Sequence, residues 1–144
     1  MVSFNVYGIP AAQGSKRHVG NGVMVESSKK VKPWRQDVKT AATASPEHGP
    51  YFVDAVSVLA TFYFPRPKSH FRTGKNCHLL RDNAPRHFVA KKPDIEKVLR
   101  STFDAITESG LWRDDALVVD VVAKKLYADD RPPGAEITIT AVQP

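Results

Sequence analysis

The stretch from Lys92 to Val119, KPDIEKVLRSTFDAITESGLWRDDALVV, reads as a helix, a tight turn and a strand. On a 3.6-residue period Ile95, Val98, Leu99, Thr102, Phe103 and Ile106 share one stripe, and Lys97, Arg100, Asp104 and Glu108 lie opposite. This amphipathic pattern predicts a helix over Asp94 to Ser109 with its apolar face in a core. Pro93 keeps Lys92 out of helical geometry, Asp94 suits the N-cap, and Gly110 suits the residue just past the C-terminus. The β-rich run from Leu117 predicts the strand that follows.

Acidic clusters stand on either side of that helix, Asp94 with Glu96 before it and Asp114 with Asp115 after it. Carboxylates crowded together repel and raise one another's pKa, so a chain that gathers three or four usually holds a cation there. A metal-dependent hydrolase is the first reading. Its geometry stays open, because about four helical turns span on the order of 24 Å. A single antiparallel return leaves the clusters at opposite ends. They meet only if a sheet neighbour brings Asp115 to the helix entrance, or if Glu96 and Arg100 face it along the helix flank. The plainer readings are an Asp94 that only caps, an Asp114-Asp115 that only turns, and ordinary i,i+4 pairs of Glu96 with Arg100 and Arg100 with Asp104.

The charge pattern points to the partner. Between Pro65 and Lys92, eight cations (Arg66, Lys68, Arg72, Lys75, Arg81, Arg86, Lys91 and Lys92) face Asp82 alone, a local +7 that exceeds the chain's net +6. Phe71 and Phe88 are interleaved with them, and Pro65, Pro67, Gly74, Pro85 and Pro93 predict a loop rather than a helix. Lys16, Arg17, Lys29, Lys30, Lys32 and Arg35 form a second basic region. A phosphate backbone suits such surfaces, because each neutralised phosphate releases a counterion; solvated surface is the bland alternative.

A chain of 144 residues with 42% hydrophobic residues predicts a single domain, 1–144, that folds without staples. The lone Cys77 excludes an internal disulfide and disfavours a thiolate zinc site despite His70 and His78 nearby. No apolar run approaches the roughly 20 residues of a membrane span, and Met1-Val2-Ser3-Phe4-Asn5 does not open a secretory leader. The expectation is a soluble cytoplasmic protein without a membrane partner. Strands are expected at Val2 to Ile9, Ala55 to Phe64, Leu117 to Tyr127 and Ala135 to Val142, with a helix from Pro33 to Ala44 besides the central one. This is an α+β class, with a small mixed sheet of about four strands, two helices on one face and a long basic loop. Loops of nearly 30 residues in so small a domain are commonly functional.

The sequence resembles the RusA-type Holliday junction resolvases, crossover-junction endodeoxyribonucleases of phage and prophage origin. The likeness runs from Gly8-Ile9-Pro10 with Gly14-Ser15-Lys16 to the closing strand. Lys92 through Glu96, Asp104-Ala105-Ile106 and Gly110 through Val119 are its most specific part. That composite is hard to obtain by chance. The resemblance implies that Asp94, Glu96 and Asp115 ligate Mg²⁺, or alternatively Mn²⁺, with Asp114 adjacent, and that Arg100 stands where the family has a functional lysine. It also implies a homodimer acting on branched, four-way DNA of a bacterial host cell nucleoid, with Lys16, Arg17 and the loop cations on its arms. No small-molecule cofactor is implied. Against the family pattern K-P-D-x-D-N, lysine, D-D-x-Q-V, four positions depart: Glu96 for Asp, Lys97 for Asn, Arg100 for Lys and Leu117 for Gln. Glutamate keeps the carboxylate but shifts it by about one bond, and arginine keeps the charge but cannot donate a proton. Two other readings stand beside the nuclease: a junction-binding protein with weak or absent cleavage, and a structural module whose acids only cap and solvate.

Overall fold

In the computed structural model, residues 1–13, 16–18, 24–26, 29–45 and 52–143 are described, those of 16–18 and 24–26 through their backbone only. The elements are β1 (Val2–Tyr7), β2 (Lys16–His18), β3 (Met24–Glu26), α1 (Val31–Thr43), β4 (Val56–Phe64), α2 (Ile95–Ser109), β5 (Val118–Tyr127) and β6 (Gly134–Ala141). A four-stranded sheet has the order β1-β6-β4-β5, and β2 and β3 form a separate two-stranded ribbon. β4 and β5 are parallel, while the other pairings of the main sheet are antiparallel. The α+β class with a mixed four-stranded sheet is therefore as expected; the short ribbon was not anticipated.

Strand β4 shows why one face carries both helices. Val56, Val58, Ala60, Phe62 and Phe64 alternate with less buried residues, and the buried set faces the core. Trp34 of α1 is fully buried, with its ring edge-on to Phe62 at 6.3 Å. Its indole N–H donates to the Thr102 hydroxyl of α2 at 3.1 Å, so this large core residue leaves no polar side-chain atom unpaired. Truncating such a residue typically costs about 3–5 kcal/mol.

Helix α1 buries Val31, Trp34, Val38 and Ala42 at helical spacing. It starts at Val31, two residues before the expected Pro33. Proline there stays in the first turn, where its missing N–H has no intrahelical acceptor to lose. Helix α2 runs as expected to a left-handed Gly110 at φ +79. Its buried face holds Val98, Thr102 and Ile106, and is turned further toward Ser101 and Ala105 than the apolar stripe indicates. Ser101 tolerates that position because its hydroxyl donates to the Ala11 and Val98 carbonyls.

Parallel pairing of β4 with β5 requires a crossover, and the basic segment with α2 supplies it. The segment is folded rather than featureless. Phe71 bridges Leu80, and residues 87–89 add to the outer edge of β5 through Val89 N–H to the Lys125 carbonyl (2.9 Å) and Tyr127 N–H to the His87 carbonyl (3.0 Å). The rest of that edge carries exposed Val119, Val121 and Val122.

Candidate active site and nucleic-acid surface

Because α2 runs back along the crossover, its entrance meets the far end of β5. Asp94 has extended backbone (φ −65, ψ 137), and its carbonyl accepts the first helical N–H groups, from Lys97 and Val98, at 3.1 Å. Its carboxylate makes no capping hydrogen bond. The exposed side chain instead lies 3.8 Å from the Lys97 ammonium, a weak ion pair. Glu96 is exposed in the first turn, and among the described residues no ion pair joins it to Arg100 or Arg100 to Asp104. Lys125 reaches up from β5 to donate to the carbonyls of Lys91 (2.8 Å) and Pro93 (2.7 Å). Burial pushes its ammonium below the usual lysine range, and the Asp94 charge works the other way.

The other acidic cluster lies at the opposite end of the strand. Asp114 caps the turn Asp115–Leu117 by accepting the Ala116 N–H at 3.1 Å. That bond, with one from Asp115, holds its carboxyl below the usual range. Asp115 moves upward: partial removal from solvent leads, followed by its hydrogen bond to Asp114 and the charges of Asp114 and Asp104. Trp112 anchors the turn, buried edge-on to Phe103 at 5.4 Å with its indole N–H donating to the Thr107 hydroxyl.

The two clusters therefore do not converge within one chain. Asp94 lies ten residues along α2 from Asp104, the helix residue facing Asp115, which is roughly 15 Å. Among the described residues no three His, Cys, Asp or Glu side chains come close enough to share a metal ion. Each half nevertheless fits a hard divalent cation in its donors, which are carboxylate oxygens throughout. The Asp94 carboxylate is withheld from its helix, and Asp115 is raised first by partial removal from solvent and then by the neighbouring acids Asp114 and Asp104, whose charge a cation would offset.

The basic crossover presents Lys68, Arg72, Lys75, Arg81, Arg86, Lys91 and Lys92 as exposed residues. Arg72 is shared with Asp82 at 2.9 Å, and Arg81 donates to the Ser69 carbonyl. Arg66 departs from the expected DNA-binding set. Its side chain is only 3% exposed, because the guanidinium pairs with both carboxylate oxygens of Asp129 (2.6 and 2.9 Å), donates to the Pro85 and Arg86 carbonyls and lies 4.4 Å from the Tyr127 ring centroid. A phosphate cannot reach a cation so enclosed; Arg66 ties the two ends of the loop to β5. Lys16 and Arg17 lie on β2, and their side chains fall outside the described residues, as do Gly14 and Ser15.

Three polar residues at these ends were not singled out in the sequence. Asp104 was grouped with a solvated helix face, yet it faces Asp115 and accepts from the Gln13 side-chain amide at 2.6 Å. Gln13 in turn accepts from Arg35 of α1. Lys125 lies within an apolar strand as half of Lys124-Lys125, and strand alternation sends one lysine of such a pair to the helix face.

An α+β scaffold with a cationic crossover and carboxylates at both ends of its central helix carries the residue types that phosphodiester chemistry uses. More particularly, the chain matches the family model described as endodeoxyribonuclease RusA over residues 7–140, and it belongs to that family of nucleases. It is also similar to the uncharacterized protein YqaN of Bacillus subtilis (strain 168), 30% identical over 147 residues that cover 98% of this chain and 96% of that one. No helix among the described residues is long and apolar enough to cross a membrane.

Proposed function

We propose that this protein is a divalent-metal-dependent endonuclease that resolves four-way DNA junctions as a homodimer. The observation that carries the proposal is the placement of the acids within a chain of this family: Asp94 and Glu96 at one end of β5, Asp115 at the other, with the part of the β5 edge that residues 87–89 leave open between them. Antiparallel pairing of β5 with β5 of a second copy about a two-fold axis brings the start of one strand beside the end of the other. Asp94 and Glu96 of one subunit then complete a site with Asp115 of the partner subunit, twice over. Val119, Val121 and Val122 supply the apolar contact such an edge needs.

Asp94, Glu96 and Asp115 would hold Mg²⁺ or Mn²⁺, which when bound polarises the scissile phosphate and lowers the pKa of an attacking water. Asp114 fixes the turn that carries Asp115 by accepting the Ala116 N–H. Arg100, one turn beyond Glu96 and free of ion pairs with Glu96 and Asp104, neutralises charge growing on the phosphoryl oxygens. Lys125 fixes the helix entrance by holding the two carbonyls around Lys92, and the exposed loop cations hold the DNA arms. Two symmetric sites make the paired nicks that resolution requires.

The test incubates purified protein with a labelled four-way junction and a linear duplex of matching sequence, in Mg²⁺ or EDTA, beside Asp115→Asn. The expected result is Mg²⁺-dependent cutting of the junction alone, abolished in the variant. Equal cutting of both substrates refutes junction selectivity, and undiminished cutting by Asp115→Asn removes that residue from the site. Tight junction binding without Mg²⁺-dependent cutting would favour the binding-protein reading, which the departures at Glu96 and Arg100 motivate.

A further inference from the structure

Phe88 is 61% exposed, yet it is among the most firmly mounted residues of the basic crossover. On one side the Arg66 guanidinium holds the carbonyls of Pro85 and Arg86 (2.5 and 2.7 Å). On the other, His87 and Val89 exchange backbone hydrogen bonds with Tyr127 and Lys125, which puts Phe88 opposite Leu126 on the outer edge of β5. Buried Ala84 and Val89 pin the segment into the body of the protein. The chain thus fixes the backbone on both sides of a large aromatic ring and leaves most of that ring in water, beside Leu126.

The surroundings indicate what covers it. Arg81, Arg86, Lys91 and Lys92 are exposed in the same crossover, and Lys125 ties the stretch from Lys91 to Pro93 to the strand two hydrogen bonds from Phe88. A flat apolar surface inside an anionic partner is a nucleobase. Bases within a continuous duplex are stacked on both faces and offer none; bases at a branch point, where stacking is interrupted, do.

We infer that Phe88 is a junction-reading residue that stacks on an unpaired or unstacked base at the branch point, beside the phosphate that the Asp94 end of the site addresses. The inference rests on the functional reading above and adds to it the element that separates branched from linear DNA. The loop cations bind phosphates in either substrate, whereas Phe88 finds a free base only in one.

The experiment measures binding of a four-way junction and a linear duplex in EDTA, so that cleavage plays no part, for the wild type, Phe88→Ala and Phe88→Trp. Base–aromatic stacking corresponds to roughly 5- to 150-fold in affinity. Phe88→Ala is therefore expected to lose about 10-fold or more on the junction and less than about 2-fold on the duplex, with an unchanged melting temperature. Phe88→Trp is expected to restore junction affinity and to show indole quenching with the junction but not the duplex. Wild-type selectivity retained by Phe88→Ala overturns the inference alone. A Phe88→Ala protein whose oligomeric mass falls also overturns it, because the ring then belongs to a contact between copies. Wild-type protein that does not bind the junction removes the functional reading and this inference together.

Discussion

Subunit complementation separates a site shared between two chains from a site within one. Asp94→Asn/Glu96→Gln destroys the entrance half of the site, and Asp115→Asn destroys the other half. Each homodimer should lose more than about 100-fold in cutting, since even groups outside a ligand shell are worth 10- to 100-fold. If the roughly 15 Å between Asp94 and Asp104 is bridged only by a partner chain, a mixed dimer pairs the two intact halves in one site and both lesions in the other. Random one-to-one association then makes about half of the dimers mixed, each with one working site, so roughly a quarter of wild-type sites return. Differently tagged subunits isolated as mixed dimers should recover about half. The product is as informative as the yield: one working site nicks the junction without the opposed nick, so nicked junctions accumulate while resolved duplexes do not. A site contained in one chain predicts no recovery, because every site in every dimer carries a lesion. Absence of nicking by purified mixed dimers would refute the shared-site reasoning.

Replacing exposed Val121 on the open edge with glutamate should give a monomer by light scattering, with near-wild-type circular dichroism and no cutting, because like charges then face each other across the two-fold axis. Arg66→Ala leaves the Pro85 and Arg86 carbonyls and the Asp129 carboxylate without their donor. At about 1–3 kcal/mol for each strong interaction, discounted because Asp129 is half exposed, a loss of about 2–4 kcal/mol is expected, together with faster amide exchange at Val89 and Tyr127. The same anchor should weaken in acid. His70 is held below 6.5 by burial and then by the Lys91 and Arg66 charges, so its neutral form favours the folded state and its contribution fades as pH falls from 6.5 toward its lower folded value. Asp129 is held below 3.8 chiefly by its hydrogen bond to Arg66, and its contribution is lost only as pH falls further, through that depressed value; exchange at Val89 followed from pH 7 to 4 reads the His70 step. Asp115 has the opposite sign, since its raised pKa means that ionisation costs folding free energy; Asp115→Asn should melt no lower than wild type in EDTA at pH 7, and should fail to cut when Mg²⁺ is supplied.

The elements were legible where local chemistry dictates them. Gly110 and the strand alternation of Val56 to Phe64 each carry their own signal and lie where it points, while the apolar stripe finds the helix but its buried face is turned toward Ser101 and Ala105. The parallel pairing of β4 with β5 was not legible, because periodicity reports burial of a face and says nothing of which strand lies beside it. That pairing decides the positions of the two acidic clusters. Arg66 was misplaced for a related reason: composition counts it as one more cation in a basic stretch, whereas its enclosure depends on Asp129, which is 63 residues away. Asp104 and Lys125 matter through the same long-range contacts, with Asp115 and with the carbonyls around Lys92.

The connection between β4 and β5 is also the reason the proposed site draws on two chains. A helix that crosses back between parallel strands must begin near the end of the first and finish near the start of the second. Carboxylates placed before and after such a helix are therefore held apart by its length, and no side-chain rotamer closes roughly 15 Å. In the proposed dimer a two-fold axis normal to the sheet, at the part of the β5 edge that residues 87–89 leave open, would reverse one copy relative to the other and turn separated ends into neighbouring ones without changing either chain. The same operation makes two sites of opposite polarity, which is the symmetry of a four-way junction. In this arrangement metal binding, dimerisation and recognition of paired strands share one cause, the direction in which β5 runs.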